Sequence, residues 1–291
     1  MIFDQTFIAI RQRDIFEILD LSLHVIRNYF LPLLTLLLIN ALPFFILDWL
    51  VLRWMVTGLS GSGYATLYLW VTSLMVASQA QLGTMMITGY LGKALFQGHP
   101  SFRETILTTL RIWPQILWIH GILRTSIPAL LVALYLSQTE SVGAVMLLTL
   151  IVLIGLLVRC VRPFATEMLL LEQNPLRTNN PATITYRARS IALHNIASST
   201  LTGRFLLISL IVLPMVFSFY ASLLLLDQSV NLHIDPDATL VTFYWPLALW
   251  LVAGFLAVVR FLSYLDIRIR QEGWAVELKI RAEANRFHKS L

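Results

Sequence analysis

Charge is scarce in this chain. Only 13% of the residues are charged and 57% are hydrophobic, where a soluble domain carries roughly 25% charged residues. Most of the surface therefore does not face water. Cysteine is nearly missing too. The single Cys160 excludes an intramolecular disulfide and a cysteine metal cluster. It lies beside Arg159 and Arg162 at the end of an apolar run, where it reads as a small buried residue, with palmitoylation as the alternative. The alternating pattern of membrane strands is absent, which excludes a barrel. No HExxH, Walker A, GxGxxG or CxxC string occurs. Gly58-Leu59-Ser60-Gly61 matches the GxSG of intramembrane serine proteases, but it falls in a loop and the last apolar run holds no histidine to serve as base. The six histidines (24, 99, 120, 194, 233 and 288) are scattered along the chain and define no metal site. The expectation is a protein that is not an enzyme and takes no cofactor.

What the chain does have is apolar runs of membrane-spanning length. Six are expected, at about 30–52, 67–91, 112–136, 142–161, 205–226 and 240–262, each near the roughly 20 residues that cross a bilayer as a helix. The fold class is thus all-α, a polytopic transmembrane bundle (residues 30–263), with an N-terminal amphipathic helix (1–29) and a charged tail (264–291). Pro43, Pro128 and Pro214 fall inside runs, where each removes a backbone donor and kinks a helix.

The net charge of +5 is not a nucleic-acid signature, because it is divided into short segments between apolar runs. Of the 21 Lys and Arg, 19 fall in one alternate set of segments, and the opposite loops hold only Arg53. That is the positive-inside pattern of a protein with both termini in the cytoplasm and an even number of spans. No cleavable signal peptide is expected, since Asp4, Asp14, Glu17 and Asp20 crowd the start.

Between Asp14 and Phe30, Ile15, Ile18, Leu19, Ser22, Val25, Ile26 and Tyr29 fall on one helical face, while Arg13, Glu17, Asp20, His24 and Arg27 form a polar stripe. Phe16, Leu23 and Phe30 widen the apolar side, as in a helix lying in the membrane interface. Ser101 and Glu104 have the spacing of a capping box, followed by a stripe of Phe102, Ile106, Leu110 and Trp113. Residues 182–201 are expected to form another amphipathic helix.

Two stretches together resemble a large family of six-span bacterial membrane proteins labelled as the glycerophosphoryl diester phosphodiesterase membrane domain. One is DIFEILDLSLHVIRNYFLPLL, with Glu17, Ile18, Leu19 and Asp20, then Arg27, Tyr29, Phe30 and Pro32. The other is YLDIRIRQEGWAVEL, with Asp266, Arg268, Arg270, Glu272, Gly273, Trp274 and Glu277. The resemblance implies a multi-pass protein of the bacterial inner membrane. The phosphodiesterase chemistry in the label belongs to relatives fused to a catalytic barrel, and is not carried over.

The costliest residues lie within the runs. A central arginine costs roughly 2.5–3.5 kcal/mol on insertion scales, so Arg124 is expected to face the bundle interior, with His120 one turn earlier. Asn40, Gln79 and Gln81 are read at comparable depth, and Arg124, His120, Asn40 and Gln79 are taken as a candidate intramembrane polar cluster. It would serve as polar glue between helices or as a ligand path, and no carboxylate is expected at its depth. At the cytoplasmic face, Glu17, Asp20, Arg268, Arg270 and Trp274 form a candidate docking surface for each other, for anionic lipid or for a partner. Asp266 and Arg270 are an i,i+4 pair. Two functions fit: a scaffold, assembly or regulatory component of a membrane complex, with membrane partners or further copies of itself, and a transporter or permease subunit built around Arg124.

Overall fold

The computed structural model describes residues 14–57, 62–97, 100–139, 141–176, 178, 184–231 and 240–271. Trp274, Glu277 and the 58–61 string lie outside the described residues. Among the described residues every regular element is helical. The order is α1 (Ile15–Asn28), α2 (Phe30–Thr57), α3 (Ser62–Gly83), α4 (Met85–Gln97), α5 (Phe102–Ile116), a π-helical stretch (Leu117–Leu123), α6 (Ser126–Thr139), α7 (Val142–Val161), α8 (Ala165–Leu171), α9 (Tyr186–Asn231) and, after a second π-helical stretch (Leu240–Tyr244), α10 (Trp245–Gln271).

Among the described residues four helical stretches are long and apolar enough to cross a membrane: Phe30–Met55, Val142–Val161, Thr200–Asp227 and Val241–Arg270. A fifth candidate is the pair Phe102–Leu123 and Ser126–Thr139, bent by 59° at its break. The chain is a helical membrane protein, with four to five such helices among the described residues. The second expected run, 67–91, is divided between α3 and α4. No residue from Val71 to Leu95 is exposed, because α3 lies at the centre and packs against α2, α6, α7 and α10. A helix enclosed by protein has no need of a lipid-like surface, and α3 carries Thr72, Ser78, Gln79 and Gln81 buried.

Both breaks have local causes. Pro128 cannot donate to the carbonyl of Arg124, and its ring crowds that position. The expected third run therefore bends at 124–125, with Thr125 at φ 72°, a conformation rare for a β-branched residue. Gly155 of α7 faces the break, and a Cβ there would press on Thr125 and on the Arg124 carbonyl at 3.0 Å. At the α3–α4 break the Thr84 hydroxyl donates to the Ala80 carbonyl at 2.7 Å, a bond that competes with the helix ladder. Gly83 there lies directly against Trp250.

The helix directions follow from side-chain contacts. Tyr68 donates to the Thr242 carbonyl at 3.1 Å and Trp245 to Ser73 at 3.1 Å, so α3 and α10 run parallel. The start of α10 meets the late part of α9, where Trp245 packs on Phe217 and Tyr220, while Asp266 meets Arg204 near the early part. Thus α9 is antiparallel to α10. At the end where α2 begins and α7 and α10 finish, α1, α4, α5 and α8 form a platform. There α1 packs on α10 and α2, with Ile15, Ile18, Ser22 and Val25 buried. Its polar stripe of Glu17, Asp20, His24 and Arg27 is exposed, as its periodicity dictates.

Three local expectations are corrected. Ser101 caps α5 without a side-chain bond, and Glu104 instead accepts from Lys93 at 2.9 Å, tying α4 to α5. The inward face of α5 is Thr105, Thr109 and Ile116, while Phe102 and Leu110 are exposed. The amphipathic segment expected over 182–201 begins at Tyr186 and continues without a break into the following span.

Candidate functional site

The four residues of the expected polar cluster are all buried, but they divide among different partners. Asn40 donates to the Leu82 carbonyl at 2.8 Å, capping a backbone group freed by the α3–α4 break. Gln79 donates to Asp48 at 2.8 Å. His120 shares a 3.0 Å hydrogen bond with Thr166 of α8. Arg124 donates to Gln81 at 2.8 Å and to the carbonyl of Arg162. Gln79 and Gln81 are two apart on a helix, so they face different ways. That rotation separates Arg124 from Gln79. The Arg162 contact also places the Arg124 guanidinium where α7 ends.

Around Arg124 the structure assembles residues that periodicity alone does not single out. Glu167 of α8 is fully buried and accepts from Arg260 at 2.6 Å. Arg260 also approaches Thr88 at 3.4 Å. Arg159 of α7 donates to the carbonyls of Ala77 and Ser78, and Ser126 donates to the Ser78 carbonyl at 2.6 Å. Arg204 pairs with Asp266 at 2.7 Å, and Arg270 meets the same carboxylate at 3.0 Å. Arg159, Arg204 and Arg260 belong to the tally of one-sided charge, yet their side chains turn inward. The signal in the chain for Glu167 is its isolation, one carboxylate inside ATEMLLL just after Pro163. It supplies the acid that was not expected near Arg124.

Between α3, α7, α9 and α10 lies a cavity of about 470 Å³, within the range of small-molecule sites. Three arginines, Arg159, Arg204 and Arg260, line it, and among the described residues no carboxylate does. The rest of the wall is mainly apolar, with Gln81, Thr84 and Ser263 among the polar exceptions. The buried Nε of Arg159 and Oγ of Ser263 have no hydrogen-bond partner among the described residues.

Of the expected docking residues, Glu17 and Asp20 are exposed on α1. Asp20 lies 3.9 Å from His24. Arg270 forms the anticipated i,i+4 pair with Asp266, and Arg268 approaches Glu172 at 3.7 Å. Glu172 is the joint of this end. Arg189 binds it in a fork at 2.6 and 2.8 Å, Tyr264 donates at 2.5 Å and Asn174 at 2.7 Å. Burial pushes this carboxyl up, but the donors outweigh it and hold it below the usual carboxylate range. Nearby, His194 stacks on Phe164, with ring centroids 5.6 Å apart. Burial holds its imidazole down to about 4 despite the bond to the Ser190 carbonyl, and the charges of Arg124 and Arg162 add to the depression.

Among the described residues no group of three or more histidine, cysteine or acidic side chains is placed to hold a metal. Comparisons with protein-family models, with curated proteins and with solved structures return no match.

Proposed function

We propose that this is a non-enzymatic, multi-pass protein of the bacterial inner membrane that binds an anionic ligand within its bundle, in the manner of a permease or carrier subunit. The six-span family resemblance supports the setting. The spans are α2, α3 with α4, the bent α5–α6 pair, α7, α9 and α10, and both termini face the cytoplasm. Two of the six fail a simple test of apolar length for physical reasons: α3 is enclosed by protein, and the third run is broken by Pro128. The observation that carries the ligand reading is the cavity with three arginines and, among the described residues, no carboxylate in its wall. Arg204 and Arg260 are held by Asp266 and Glu167, whereas Arg159 meets backbone carbonyls and its buried Nε has no partner among the described residues, so an anion at this end would supply the countercharge that Arg159 lacks.

The test is thermal unfolding of the purified protein in neutral detergent, with sulfate, phosphate and anionic lipid added at matched ionic strength. An anion at about one hundred times its Kd adds roughly 2.7 kcal/mol, so a rise in Tm of several degrees is expected, and Arg159→Gln should abolish it. If no anion of either kind raises Tm above the salt control, the ligand reading is withdrawn.

A further inference from the structure

The cavity is polarised along its length. On α7, Leu153, Leu156 and Leu157 precede Arg159 in the wall; on α10, Leu249, Val252 and Leu256 precede Arg260. On the antiparallel α9 the order reverses, with Arg204 ahead of Phe205, Ile208, Val212 and Val216. All three arginines therefore lie at the same end, and Ser263 is one turn beyond Arg260. The lining of α9 extends from Leu201 to Val216, about 23 Å at 1.5 Å per residue. One leaflet of hydrocarbon is about 15 Å deep. The shape is a long apolar slot on the scale of one lipid chain, with three arginines at one end, of which Arg204 and Arg260 keep their bonds to Asp266 and Glu167.

The slot also borders the lipid-facing surface. Leu153 and Leu157 line it and are exposed by more than half. Its outer wall is α9, whose apolar window is only 6% buried. A soluble anion would occupy the arginine end and leave the apolar length without contacts, forfeiting the dispersion energy of its walls.

We propose that this cavity is a seat for a single phosphate-headed anionic lipid, with its phosphate on Arg159, Arg204 and Arg260 and one acyl chain along α9 and α10. The inference rests on the anionic-ligand reading above and names the ligand class. The Nε of Arg159 and the Oγ of Ser263 supply donors at the arginine end. The lipid belongs to the leaflet at the arginine end, which the one-sided charge makes the cytoplasmic one.

The full chain, purified in neutral detergent and stripped of lipid, is offered phosphatidylglycerol, phosphatidylcholine with the same acyl chains, or glycerol phosphate. Retained lipid is counted by native mass spectrometry. One phosphatidylglycerol per chain is expected to survive activation that removes phosphatidylcholine, with at least a tenfold preference. Arg159→Gln should cut retention about tenfold. Val212→Trp should do the same by filling the slot while leaving every arginine in place. Equal retention of the two lipids, or wild-type retention in both variants, overturns the lipid seat. Stabilisation by glycerol phosphate that Val212→Trp leaves intact also overturns it, while preserving the anion site. No binding of either kind removes both readings. Should the variants not fold, a photoreactive phosphatidylglycerol on the wild-type chain decides: labelling within 153–157 or 205–216 supports the seat, and labelling elsewhere overturns it.

Discussion

The helices α3 and α9 are opposites. The span within α9, Thr200–Asp227, passes every test of a membrane helix by length and apolarity, yet only 6% of its apolar window is buried. α3 fails that test, yet from Val71 to Gly83 no residue of it is exposed. In a bilayer the solvent is itself apolar, so hydrophobicity marks what faces outward, and packing and hydrogen bonds mark what faces in. Polar α3 is the core, and apolar α9 is the outer wall.

The largest effect that tests this contrast is expected at Glu167. Glu167→Leu leaves the Arg260 guanidinium buried beside Arg124 and Arg159, and breaking such a pair costs about 3–5 kcal/mol. Denaturant unfolding in mixed micelles measures it. A loss under about 1 kcal/mol would mean that the pair is wet and the core less enclosed than drawn.

Packing comes next. Met75 on α3 is fully buried and Leu210 on α9 is 79% exposed. Met75→Ala should cost about 2–5 kcal/mol, and Leu210→Ala within about 0.5 kcal/mol. Equal losses would erase the distinction between the two helices. Gly155→Leu drives a side chain into Thr125 and the Arg124 carbonyl, and should cost about 1–3 kcal/mol by overpacking.

A different kind of effect, a pH dependence, is expected at the platform. The native state holds His194 neutral, with its imidazole at about 4 against an ordinary 6.5. The unfolded chain binds the proton first as pH falls. The stability contributed by this site is therefore complete above 6.5 and is lost between 6.5 and about 4, at up to about 1.4 kcal/mol per pH unit. His194→Gln should flatten the slope of Tm over that window. Glu172 acts lower: its carboxyl is depressed from 4.5, so its contribution is present above 4.5 and fades as pH falls below.

The periodicity of α1, the bounds of α7 and the pair of Asp266 with Arg270 were legible in the chain, because each rests on spacing along a single helix. The break in the third run was half legible. Pro128 marks the bend, but it falls three to four residues earlier, at the carbonyl that the proline leaves unpaired. The polar cluster was legible only as a set of depths. Depth along a helix comes from counting residues, whereas the facing partner depends on rotation about the axis. That is why Gln81 and not Gln79 meets Arg124, and why Asn40 serves the backbone of α3. Glu167 escaped notice because its short helix, seven residues long, is too brief for a periodic signal.

Composition and charge placement alone determined that this is a helical membrane protein with its basic residues gathered in one alternate set of the segments between apolar runs. Both properties are sums over the chain and need no partner. Only the tertiary structure decided that Arg159, Arg204 and Arg260 turn away from the membrane surface to line one end of a cavity. A guanidinium at a helix end can reach outward to headgroups or inward to carbonyls and carboxylates. The choice is made by what the neighbouring helices place there: the Ala77 and Ser78 carbonyls, Glu167 and Asp266.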